Sequence, residues 1–84
     1  MTLSEAPLNQ PLKVSPHFGE KDELSALESR LMHLGFIHEE PIMIRKKSKI
    51  FGSPLLVQVR GRQIALTKKE ASLVPVYQVE NHGL

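Results

Sequence analysis

The sequence predicts a mainly β fold: about five short strands curled into a small, partly open barrel, with one helix inserted after the first strand and a short helical turn before the last. Three observations lead there. Alternation of apolar and polar residues recurs in short stretches along the chain, and only one stretch shows helical spacing. At 84 residues the chain has room for one domain. A flat sheet of that size would leave long edges open, which curling largely removes.

Residues 1–10 lack a period and include Pro7, so they read as a flexible lead-in to a single domain at 11–80, with residues 81–84 a frayed tail. Pro11 to Ser15 alternates as a first strand that Pro16 ends. Leu24, Leu27, Leu31 and Leu34 then share one face of a helix. Asp22 is a good N-cap for it, and Ser25 with Glu28 forms a competing capping box three residues later. Gly35 stands where a left-handed cap belongs, with Phe36 able to fold back on Leu31.

Beyond Ile37 the period becomes two. Ile42 and Ile44 face the core, Met43 and Arg45 the opposite side. Lys46 to Lys49 is too polar for a buried strand and is expected to project as a loop, and Gly52-Ser53-Pro54 turns the chain. Val57 and Val59 open a hairpin whose two-residue turn is placed at Gly61-Arg62, with Gln63 to Leu66 returning. Thr67-Lys68-Lys69-Glu70 is a capping box opening a single turn through Leu73. Val74 and Val76 belong to the last strand.

Composition narrows the chemistry. The absence of cysteine excludes a disulfide framework, a cysteine-rich zinc site, an iron–sulfur cluster and a thiol nucleophile. No phosphate-binding glycine loop, dinucleotide fingerprint or H-E-x-x-H pattern occurs, so an enzyme is not expected. No apolar run reaches membrane-spanning length and the amino terminus lacks a signal pattern, so a cytoplasmic location is expected. The net charge of +2 hides a segregation. Residues 1–44 carry three basic residues against seven acidic ones, whereas residues 45–69 carry eight basic residues and no acid. Such a stretch suits a phosphate-bearing ligand, an acidic protein or an anionic surface.

At three places the sequence resembles one family. Leu31-Met32-His33-Leu34-Gly35 is similar to its L-x-x-L-G signature, Gly52-Ser53-Pro54 before an alternating strand to its L-G-D-P, and Ile64-Ala65-Leu66-Thr67 through Glu70-Ala71 to its helical-turn motif. The family is FeoA, the small cytosolic component of bacterial ferrous iron uptake, and the resemblance covers residues 10 to 79. Ser53 replaces an acidic residue of the pattern, and Glu39 stands where the family tends to carry a Pro-Gly turn. The resemblance implies an SH3-like barrel without catalytic activity. Its implied partner is the cytosolic GTPase region of a FeoB-type membrane iron permease, with transport or GTP hydrolysis modulated by docking. Membrane association is then through that partner only. The same barrel resembles the C-terminal domain of metal-dependent repressors, so a binding module of a metal-dependent regulator is the alternative, as is a small nucleic-acid-binding barrel.

Two candidate sites follow. The docking face is placed at Arg45, Lys46, Lys47 and Lys49 with the apolar neighbours Ile50 and Phe51, together with Arg60 and Arg62 at the hairpin tip: cations to attract an acidic surface and an apolar anchor inside a polar rim. Nucleic acid is not expected there, because stacking aromatics are missing among the cations. His33, His38, Glu39 and Glu40 are weak candidates to hold a divalent ion, ferrous iron or zinc, although a histidine in the last turn of a helix is equally explained by the helix dipole. An exposed sheet edge beside the first strand leaves pairing with a second copy open.

Overall fold

In the computed structural model, which describes residues 1–48 and 54–79, the alternating stretches form five strands: β1 Leu12–Val14, β2 Pro41–Lys47, β3 Leu55–Val59, β4 Arg62–Leu66 and β5 Val76–Gln78. They join in one antiparallel sheet in the order β4-β3-β2-β1-β5. Each strand turns one row of side chains inward. Leu12, Val14, Ile42, Ile44, Leu55, Val57, Val59, Leu66 and Val76 are buried in one cluster with Leu31 and Phe36. β1 lies between β2 and β5, so the open edge expected beside the first strand does not exist; the edge strands are β4 and β5.

Helix α1 runs Ala26–Leu34, and of its two sequence-level starts the second is used. Ser25 Oγ accepts the Glu28 N–H at 3.1 Å and Glu28 Oε1 accepts the Ser25 N–H at 3.1 Å. Asp22 has no partner of this kind, because Ser25 occupies the position where a reciprocal carboxylate would sit. Glu28 Oε2 accepts a further bond from Lys21 Nζ at 2.9 Å. The Lys21 ammonium, with the Ser25 N–H second, holds the Glu28 carboxyl below the ordinary glutamate range. At the other end Gly35 has φ 117°, its N–H reaches the Met32 carbonyl, and the Phe36 N–H reaches that of Leu31. This is a Schellman closure that places Phe36 in the core. Helix α2, Lys68–Ala71, repeats the capping box with Thr67 and Glu70. Glu70 Oε1 accepts the Thr67 N–H at 2.8 Å, and its Oε2 accepts Arg30 Nη1 of α1 at 2.9 Å.

Residues 1–10 are not a loose lead-in. Leu3 and Ala6 are fully buried, and Leu3 to Glu5 form a 3-10 turn. The Leu3 N–H donates to the Val74 carbonyl, the Met1 carbonyl accepts from Val76, and Thr2 bridges Pro75. Burial of two apolar side chains outweighs the missing period, which a three-residue turn is too short to display. We expect Leu3→Ala to lower the free energy of unfolding by about 3 kcal/mol, read from a urea midpoint; a docked but unimportant lead-in would give almost no change. The Glu28 carboxylate, held below its ordinary range, stabilises the fold above the unfolded-state value, and that contribution is lost as the pH falls through the folded-state value. Glu28→Gln is therefore expected to be less stable than the parent at neutral pH, with the gap closing below about pH 4. A gap independent of pH would show that the charge is not what matters.

Candidate protein-docking face

Strict alternation along β2 would send Lys46 to the same inward face as Ile42 and Ile44. A bulge prevents this. Ile44 pairs with Val57 but Lys46 pairs with Leu56, so Arg45 is an extra residue and the register shifts there. Arg45 and Lys46 both become exposed. The Ile44 carbonyl at this irregularity accepts the Asn9 N–H at 2.8 Å, so the amino-terminal segment helps to hold the bulge. The expected loop at Lys46–Lys49 is thus strand as far as Lys47. Lys47 returns to the inward row opposite Leu55, where its ammonium donates to the carbonyls of Ala6 at 2.7 Å and Ser4 at 3.4 Å. It serves to fasten residues 4–6.

The hairpin tip is one residue earlier than expected. Val59 pairs with Arg62, so the turn is Arg60-Gly61, with φ of 51° and 75°. Positive φ at both central residues is the type I′ pattern that matches strand twist, and glycine adopts it freely. Arg62 begins β4 and is exposed; Arg60 Nε donates to Glu40 Oε1 at 3.2 Å, tying the tip to the start of β2. Lys49, Ile50 and Phe51, the remaining expected docking residues, lie outside the described residues.

Two grooves flank Arg45. One, about 560 Å³, is lined by Pro11, Lys13, Pro41, Met43 and Arg60 among others. The other, about 690 Å³, is lined by Leu8, Leu56 and Ala65 with Arg45, Lys46 and Lys47 at its margin. Lys46, Leu56 and Ala65 are cross-strand neighbours on the outer face of β2, β3 and β4. Leu8, Leu56 and Ala65 escaped the sequence reading. The first carries no local signal. The other two do: each stands on the outward side of an alternating strand, where a polar residue belongs.

The metal candidates are engaged separately. His33 Nδ1 lies 2.8 Å from the Ser29 carbonyl of its own helix, Glu40 holds Arg60, and Glu39 Oε2 accepts the Tyr77 hydroxyl at 2.8 Å. Glu39 has φ 66°, so it takes without glycine the left-handed turn where the family pattern tends to place one. His38 is exposed. Among the described residues no three side chains of His, Asp and Glu come together as a metal site, and no helix is long and apolar enough to cross a membrane.

A five-stranded antiparallel sheet with a helix between its first two strands defines an SH3-like domain, a fold that by itself does not fix function. Within that class the chain belongs to the FeoA domain family, which it matches over residues 1–78. It is similar to FeoA of Stenotrophomonas maltophilia, a prokaryotic SH3 domain protein solved with zinc, at 38% identity and TM-score 0.73 over 92% of this chain and 89% of that one. It is also similar to iron(II) transport protein A of Clostridium thermocellum, at 28% identity and TM-score 0.80, covering 94% of this chain but only 46% of the length of that one. A FeoA-like protein of Clostridium acetobutylicum aligns over all of this chain and 92% of its own, at 25% identity and TM-score 0.79. No match was found among curated proteins.

Tyr77 is the one tyrosine of the chain and offers a spectroscopic handle. Its hydrogen bond to the Glu39 carboxylate raises the phenol above its ordinary range, since the bond favours the neutral form and the nearby charge opposes a second one. Followed by the absorbance of tyrosinate, the titration midpoint should lie above about 10 and return toward it in Glu39→Gln. An unchanged midpoint in the variant would show that the bond is not formed in solution.

Proposed function

We propose that the chain is a non-enzymatic accessory protein of ferrous iron uptake. It docks on the cytosolic GTPase region of a FeoB-type permease and modulates transport or GTP hydrolysis. Membership of the FeoA domain family over nearly the whole chain carries this reading, and the similar protein of Clostridium thermocellum described as iron(II) transport protein A supports it. The surface is suited to the task. Arg45, Lys46 and Arg62 are exposed, and within residues 45–69 there is no acid to neutralise them. Cations left to solvent accelerate encounter with an acidic partner and add specificity more than raw affinity. The docking is peripheral: contact with the membrane is made through the permease.

The test is a titration of the purified cytosolic GTPase domain against this protein. Binding should weaken as salt is added, and Lys46→Glu with Arg62→Glu should lower affinity by roughly tenfold or more, mainly through a slower on-rate. Both side chains are exposed, so the thermal midpoint should be nearly unchanged. Full affinity of the doubly reversed variant at low salt would remove the basic face from the docking surface, and no binding by the parent would remove the partner.

A further inference from the structure

Resting on that docking role, we infer that the groove between Leu8, Leu56 and Ala65 is an anchor site for an acidic, amphipathic segment of the partner protein. One apolar side chain of the segment enters the groove and its carboxylates meet Arg45 and Lys46. The floor is apolar for a reason that core packing does not supply. Leu56 and Ala65 stand opposite one another on the outer face of β3 and β4, away from the buried row. Leu8 is 42% exposed, one of three large apolar side chains left so among the described residues. It is carried over this face by a segment fixed at both ends, by Lys47 on the carbonyls of Ser4 and Ala6 and by the bond from Asn9 to Ile44. With the backbone on both sides of Leu8 already held, less ordering entropy is lost on binding, which favours an anchor position.

Charge selects the occupant. Among the described residues, Arg45, Lys46 and Lys47 are the ionisable ones that line the groove, and no acid does. Lys47 is committed to the backbone carbonyls, which leaves Arg45 and Lys46 to face a ligand. A volume of about 690 Å³ admits a large side chain with part of its backbone. The concave shape favours an inserted side chain over a flat anionic membrane. The bulge at Arg45 is what makes the arrangement available, since it brings Lys46 out beside Leu56.

The experiment uses the full chain, the cytosolic GTPase domain of the permease as probe, and the groove variants Ala65→Glu and Leu8→Ser. Ala65 is exposed at the side chain, so the first variant should keep its thermal midpoint while placing an acid in the groove. Each is expected to weaken binding of the GTPase domain by roughly tenfold or more, with Ala65→Glu the larger effect. If the parent binds and both variants bind as tightly, the groove is not the anchor site although the docking role stands. If the parent does not bind, both readings fail together. A parallel arm with phosphatidylglycerol vesicles separates the membrane: vesicle binding lost in Ala65→Glu, with GTPase-domain binding intact, would overturn the proposal in favour of a lipid surface.

Discussion

A sheet this small can bury only one of its two faces, and nearly everything else follows from that constraint. The inward row, from Leu12 across Ile44 and Val57 to Leu66, takes most of the large apolar residues of the strands, and the amino-terminal turn and the end of α1 close over it with Leu3, Leu31 and Phe36. The outer face keeps Met43, Leu56 and Ala65 only partly buried or exposed. Whatever apolar residue appears there is accessible, and whatever charge appears there is felt by an approaching molecule.

Two glutamates show how few polar contacts fix the covering elements. Glu28 and Glu70 each use one carboxylate oxygen to cap the start of a helix and the other to hold a cation, Lys21 and Arg30 respectively. The second bond joins α1 to α2 across 40 residues of sequence. These are the two charged residues buried in the described chain, and each is satisfied by partners on both oxygens, so their desolvation is offset. A capping box is a local device, but here it also sets the tertiary position of a helix.

What could be read beforehand divides along the same line. The capping box at Thr67, the left-handed Gly35 and the inward pair Ile42 and Ile44 depend on neighbours in sequence, and the structure has them as expected. The N-cap at Ser25 was visible as one of two starts, and the ion pair from Lys21 that accompanies it was not. The bulge at Arg45 was invisible, because a run of cations after Ile44 looks the same whether the strand ends or slips by one residue. Its consequence, Lys46 facing outward beside Leu56, is therefore a property of register and not of composition. Lys47 looked like one more surface charge until the carbonyls of Ser4 and Ala6 were found around it. Of the residues expected to dock, Arg45, Lys46 and Arg62 are exposed, while Leu8 reaches the groove beside Arg45 and Lys46 through folding of a segment that has no period at all.

The two ends of the sheet are not equivalent. Beyond β5 the amino-terminal segment covers only the start of the edge, with Met1 to Leu3 bonded along Val74 to Val76. Beyond β4 no further strand is present among the described residues. Addition of an extended strand would therefore meet less obstruction at β4 than at the start of β5. Two copies joined through β4 would form a closed pair with two-fold symmetry, each sealing the growing side of the other. A fibre requires every member to offer two edges, and residues 1–3 obstruct the start of one of them. Residues expected from the sequence to form a flexible lead-in would thus hinder growth at that end of the sheet.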